Sequence, residues 1–163
     1  ANNIFVGGTS AGGGLALSLL QKLKKQNIEL PIAAYTGTPW TDLSNTSDSL
    51  VINEGIDRIL VSYQGLLKAA AMLYAGKHSL TEPRVSPVYG DFTGLPPTIL
   101  VSGTRDLFLS DTVRVNRKLR ECGIHTQLEV FEGLSHADYL VAHNTPESVT
   151  VYKEIKQFFL NAI

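Results

Sequence analysis

Cysteine is nearly absent from this sequence: Cys122 is the single one in 163 residues. One thiol excludes an internal disulfide, and no His/Cys grouping stands at metal-ligand spacing, so no metal or other cofactor is expected. An excess of charge is missing as well, because 14 Lys and Arg stand against 15 Asp and Glu, for a formal net charge of −1. That balance supplies no drive toward nucleic acid or an anionic membrane. The short Lys22, Lys24, Lys25 cluster fits a helix C-terminus, where cations favour the dipole. No apolar run approaches the roughly 20 residues of a membrane span. A soluble protein is therefore expected, with the cytoplasm the favoured compartment. Repeats and low-complexity linkers are lacking too. What remains, 44% hydrophobic and 18% charged residues, is the composition of one ordinary globular domain with a substantial core.

The most informative stretch runs from Ile4 to Leu17. An apolar run stops at glycines, presents one serine, and resumes with apolar residues at helical spacing, which reads as strand, sharp turn and helix with Ser10 at the tip. Gly8-Thr9-Ser10-Ala11-Gly12 fits a nucleophile elbow, in which a strained turn lifts a serine hydroxyl clear of a sheet and small neighbours let the backbones pass closely. A phosphate-binding glycine turn is the competing reading. It lacks both a Gly-x-Gly-x-x-Gly with a downstream acid and a Gly-Lys-Ser/Thr.

Leu15, Leu19, Leu20 and Leu23 recur at spacings of three and four, predicting an amphipathic helix over 11–25. Leu30 to Tyr35 reads as a buried strand, followed by turn chemistry to Ser49. Helical spacing returns weakly over 56–60 and strongly from Tyr63 to Tyr74, where Gly76 stops it. Pro83, Pro87, Pro96 and Pro97 make 81–97 irregular. Thr98 to Ser102 is a buried strand, then Ser110 or Asp111 caps a helix to about Cys122 that buries Val113, Leu119 and Cys122. A strand over Thr126 to Phe131 and a helix from Pro146 to Asn161, with Val149, Ile155, Phe158 and Phe159 as its apolar face, complete the chain. Strands alternating with helices predict a parallel sheet covered on both faces, with sites outside the C-terminal ends of its strands.

Three loops that follow predicted strands carry Ser10, Asp106 and His136, the chain order serine, acid, histidine. The chemistry needs all three: a serine hydroxyl is a poor nucleophile until an imidazole takes its proton, and a carboxylate must fix that imidazole's tautomer. Of the other histidines, His78 lies in the inserted segment, His125 precedes its strand and so falls at the opposite edge, and His143 lies in a polar loop. Among the acids, Asp111 reads as a helix cap and Asp138 as a surface neighbour, while Asp42 and Asp91 have no strand directly before them.

Gly-Thr-Ser-Ala-Gly-Gly at 8–13, Thr38 to Leu43, Ser86-Pro87, Gly90 to Pro97, Asp106 and Gly133-Leu134-Ser135-His136 together resemble recurring segments of the hormone-sensitive-lipase-like carboxylesterases, a branch of the α/β-hydrolases. The resemblance covers nearly the whole chain and corresponds to the family's C-terminal portion. It implies a partial α/β-hydrolase fold of about four mainly parallel strands flanked by helices, without the N-terminal strands and cap. Residues 1–163 would form one truncated catalytic domain with a helical insertion at about 45–80. Ser10 would be the nucleophile, Asp106 the acid, His136 the base, and Ala11 N–H an oxyanion donor. The helices near 56–75 would border the acyl pocket, and the partner would be a small ester of short or medium chain length.

Two departures from the family pattern stand out. Thr9 replaces the usual Asp before the serine, and no His-Gly-Gly motif, which completes the family's oxyanion hole, precedes the elbow. Loss of one such donor costs roughly a hundred- to a thousandfold in turnover, so the chain alone is expected to be a very poor esterase or inactive. Its first strand would be an open edge, and dimerisation or aggregation through residues 3–7 is expected. A retained ligand-binding role, as in the plant hormone receptors similar to this family, an inactive fragment, and a serine peptidase of the same superfamily are the alternatives.

Overall fold

The structure, a computed structural model, describes residues 4–163. Residue 3, part of the predicted pairing segment 3–7, lies outside the described residues. Four strands, β1 (Phe5–Thr9), β2 (Ala33–Gly37), β3 (Thr98–Gly103) and β4 (Thr126–Phe131), form a sheet in the order β1-β2-β3-β4. All three pairings are parallel, so β1 lies at one edge of the sheet among the described residues. The helices are α1 (Ala11–Lys25), α2 (Ser49–Ile52), α3 (Leu66–Ala75), α4 (Leu109–Glu121), α5 (Asp138–Val141) and α6 (Pro146–Leu160), with a 3₁₀ turn at Pro87–Tyr89.

Alternation along the strands decides what lies on each face. Ala34 and Leu100 point toward Leu17 and Leu20 of α1 and Val115 and Leu119 of α4, with Val88 and Phe92 filling the seam. Ala33 and Ile99 point the other way, onto Phe158 of α6, and Val101 meets Tyr139 and Val151. Every residue of β3 is buried, as a central parallel strand requires. A fourth cluster, with Trp40, Leu43, Leu67, Ala71, Leu107 and Phe108, packs the α2–α3 segment near the C-terminal ends of β2 and β3.

Several helix faces differ from the sequence expectation. Leu15 and Leu19 are exposed while Gly13, Gly14, Ala16, Leu17 and Leu20 are buried, because close approach of α1 to the sheet selects small residues. In α4, Thr112, Val115, Asn116 and Leu119 form the buried row and Val113 faces out; in α6, Ser148, Val151 and Phe158 are buried and Val149 is exposed. Strand β2 begins at Ala33 rather than Leu30, since Pro31 has no N–H for a ladder. Residues 56–60 form turns, and α3 spans only Leu66–Ala75, bracketed by Gly65 and Gly76, both at positive φ.

Candidate active site

Ser10 sits between β1 and α1 at φ 61° and ψ −127°, a strained conformation for a residue with a side chain. Its backbone is clamped from both sides. Ser10 N–H donates to the Gly37 carbonyl at 2.8 Å, and the Ser10 carbonyl accepts from Trp40 N–H at 3.0 Å and Gly13 N–H at 3.0 Å. A Cβ on Gly8 would overlap the Gly12 carbonyl, and one on Gly14 would overlap the Trp40 carbonyl. Gly8 and Gly14 are therefore a steric requirement of the turn. Ala11 opens α1, so its N–H has no acceptor within the helix.

Asp106 and His136 follow β3 and β4, the most extensively paired neighbours in the sheet. Thr104 N–H bonds the Phe131 carbonyl at 3.0 Å, Gly133 N–H bonds Thr104 Oγ1 at 2.8 Å and Arg105 N–H bonds the Leu134 carbonyl at 3.1 Å, so the two loops are one unit. Asp106 is fully buried: Oδ1 accepts from Phe108 N–H at 2.9 Å and Oδ2 from Ser102 Oγ at 2.8 Å. His136 Nδ1 lies 2.9 Å from Asp106 Oδ1 and Nε2 lies 2.8 Å from Ser10 Oγ. A carboxylate at Nδ1 favours the tautomer with its proton there, which leaves Nε2 to accept from the serine hydroxyl. Phe108 meets the imidazole edge-on, with ring centroids 5.0 Å apart, and stacks on Trp40 on its other side.

The loop before α3 supplies residues that the sequence reading missed. Asp57, 1% exposed, accepts from Leu107 N–H at 2.9 Å, Ile59 N–H at 2.8 Å, Leu60 N–H at 3.2 Å and His136 N–H at 3.4 Å. Asn53 Nδ2 donates to the Asp106 carbonyl at 2.9 Å. The available signal was an Asp followed two residues later by an apolar residue in an aperiodic stretch, the pattern of an Asx turn.

Other predicted roles change. Asp138 is buried, not a surface residue: it accepts from Ser135 N–H at 2.6 Å and Arg58 Nε at 3.1 Å, bracing the histidine loop. Asp111 does not cap α4, whose first residue is Leu109; Phe108 N–H, just ahead of it, bonds Asp106 instead. Asp111 accepts from Thr41 N–H at 2.7 Å, Asp42 N–H at 2.8 Å and the Ser47 hydroxyl, and burial pushes its carboxyl up to about 6. Burial also acts to raise neighbouring Asp42, but bonds from Ser44, Arg114 and Thr46 outweigh it and hold that carboxyl below its ordinary value. Asp91 is paired with Lys24 at 2.5 Å, His78 with Glu82 at 3.1 Å, and His125 stacks on Phe158; none joins the Ser10 cluster.

Beside Ser10 a cavity of about 230 Å³ opens between α1 and α3. Its walls are apolar and include Ala11, Leu15, Trp40, Leu43, Ala70 and Tyr74. Leu15, exposed by the orientation of α1, is thus one wall of a pocket.

Comparison with known proteins meets this geometry at residues 1–140, which match the family described as the alpha/beta hydrolase fold. The chain belongs to the α/β-hydrolase family. An esterase from Acinetobacter venetianus is 30% identical over 162 residues, covering 96% of this chain and 51% of that protein. An acetyl-hydrolase from Streptomyces hygroscopicus is 31% identical over 136 residues, covering 82% and 44% respectively. Among crystal structures, one of an esterase superposes with a TM-score of 0.96 at 48% identity, covering 98% of this chain and 49% of that one. Another, of an esterase from the bacterial hormone-sensitive lipase family, gives 0.93 at 29% identity, covering 100% and 55%. This α/β-hydrolase chain spans about half the length of the curated relatives it matches. The four parallel strands with flanking helices are a portion of the family fold, as the resemblance to hormone-sensitive-lipase-like esterases implies. No helix of the described residues is long and apolar enough to cross a membrane.

Proposed function

We propose that this chain carries the nucleophile, acid and base of a serine carboxylesterase acting on esters with short or medium acyl chains. The observation that supports it most is the pair of contacts at His136, 2.8 Å to Ser10 Oγ and 2.9 Å to Asp106 Oδ1. In this mechanism His136 Nε2 takes the proton as Ser10 Oγ attacks the ester carbonyl, and Asp106 stabilises the imidazolium that forms. Ala11 N–H, at the positive end of α1, donates to the oxyanion. Collapse of the tetrahedral intermediate expels the alcohol, which takes the proton from Nε2 and leaves an acyl-serine. Water activated by the same imidazole then attacks the acyl carbonyl, releasing the acid and restoring the serine.

The apolar cavity against Ala11 suits an aliphatic group carried next to the reacting carbonyl, and the esterase names among the relatives agree with that chemistry. Residues 45–80, as the helical insertion of a single domain, supply the α3 wall of this pocket. For the 163-residue chain assayed by itself, with Ala11 N–H as its assigned oxyanion donor, slow turnover is expected; loss of one donor costs about a hundred- to a thousandfold.

The test is hydrolysis of a p-nitrophenyl ester series from acetate to decanoate, together with labelling by a fluorophosphonate. Turnover of the shorter esters and one adduct, on the Ser10 peptide, are expected. No hydrolysis above buffer by the protein, or an adduct elsewhere, removes the reading.

A further inference from the structure

Beneath the elbow, on the face of the sheet that α6 covers, three hydroxyls from three distant parts of the chain meet. Thr9 Oγ1 lies 3.1 Å from Tyr35 OH and 3.1 Å from Tyr139 OH, and the two phenols also bond each other. Three hydroxyls carry three protons for three contacts, so the ring satisfies its own donors. Burial pushes both the Tyr35 and Tyr139 phenols up from their ordinary value, so both remain protonated at neutral pH.

The placement of the corners gives the ring its significance. Thr9 immediately precedes Ser10, and Tyr139 stands three residues beyond His136. Tyr35 lies on β2, two residues before Gly37, whose carbonyl receives the Ser10 N–H at 2.8 Å. A Cβ on Gly37 would overlap both phenol hydroxyls, so that glycine makes room for the ring. Tyr139 is anchored in turn: its carbonyl accepts from Ser148 Oγ at 2.7 Å, and its ring meets Tyr152 edge-on at 6.3 Å. The ring thus ties the serine elbow to the histidine loop by a route separate from the Ser10–His136 contact. A carboxylate at position 9, the residue usual in the resembling family, could only accept and could not close such a ring of neutral hydroxyls.

We infer that Thr9, Tyr35 and Tyr139 are positioning residues whose hydroxyl ring sets the separation of Ser10 Oγ and His136 Nε2. This rests on the proposed ester hydrolysis for its kinetic consequence, though not for its geometric one. A misplacement of about 1 Å at reacting groups costs up to about a hundredfold in rate, and a loss confined to the transition state falls on kcat rather than KM.

The experiment compares the protein with Thr9→Val, Tyr139→Phe, the double variant and Thr9→Ser, by ester kinetics, thermal unfolding and crystal structures. Thr9→Val and Tyr139→Phe each lower kcat by about ten- to a hundredfold with KM unchanged. The double variant is no worse than the weaker single, because the corners act as one unit, and Thr9→Ser, which keeps the hydroxyl, restores kcat. In the crystal structures of both single variants the 2.8 Å Ser10–His136 contact opens beyond hydrogen-bond reach. Tyr35→Phe, which alters neither loop, carries the same expectations where Thr9→Val does not fold. An unchanged kcat alongside a lowered Tm, or a retained 2.8 Å contact in the variants, overturns the inference. If the unaltered protein hydrolyses no ester, the ester reading fails and the crystallographic separation alone decides this one.

Discussion

The Asp57 carboxylate accepts the backbone N–H of His136 at 3.4 Å and, through its other oxygen, the N–H of Leu107, the residue after Asp106, at 2.9 Å. One buried carboxyl group from the loop before α3 therefore holds both loops whose side chains meet at the imidazole. A buried donor that loses its partner costs about 1–3 kcal/mol. Asp57→Ala, which strands several, is expected to lower unfolding stability by about 3 kcal/mol or more, read as a shift in the urea midpoint. Asp57→Asn keeps one acceptor oxygen and should lose less.

Asp111 provides a pH signature. Its carboxyl stands at about 6 in the fold against an ordinary 3.8, because burial disfavours the charged form. The folded state therefore holds the proton more tightly than the unfolded chain. The stability this group contributes is present below pH 4 and lost as pH rises through about 6. Relative to Asp111→Asn, the unaltered protein should lose about 2 kcal/mol between pH 4 and pH 7. Urea unfolding of both at the two pH values measures the difference.

Two glycines close together should respond in opposite ways. A methyl at Gly14 runs into the Trp40 carbonyl, whereas one at Gly12 meets no atom within 4 Å. Gly14→Ala should cost about 1–3 kcal/mol, the range of an overpacked contact, and Gly12→Ala should raise the melting temperature, because Ala at a compatible helical position gains about 0.4–1 kcal/mol.

Much of the candidate site was legible in the sequence because Ser10, Asp106 and His136 each lie in the turn or loop that follows a strand. Ser10 was marked by the glycines that the turn requires, and Asp106 and His136 by their places after β3 and β4. The helix faces were harder. In α1 the buried side combines Gly13, Gly14 and Ala16 with Leu17 and Leu20, so the leucine spacing marked the buried Leu20 together with the exposed Leu15 and Leu19. In α4 and α6 the buried rows pass through Thr112, Asn116 and Ser148, polar residues that hide the period. Asp57 and Tyr139 act through contacts across 79 and 130 residues, to His136 and Thr9 respectively, and no local pattern encodes such partners.

Ala70 faces the cavity from α3, across from Leu15 of α1. Filling the space with Ala70→Phe should lower kcat/KM for hexanoate relative to acetate esters by about tenfold or more, the worth of a methylene or two in an apolar pocket. A ratio of the two kcat/KM values in each protein gives the answer without reference to enzyme concentration.

The central claim is that Ser10 is the nucleophile. It is tested most directly by the rate of p-nitrophenyl butyrate hydrolysis by the protein and by Ser10→Ala, with circular dichroism confirming that both are folded. The account predicts a fall in kcat of several orders of magnitude, up to about a millionfold. A folded Ser10→Ala protein that hydrolyses the ester at the unaltered rate would contradict it.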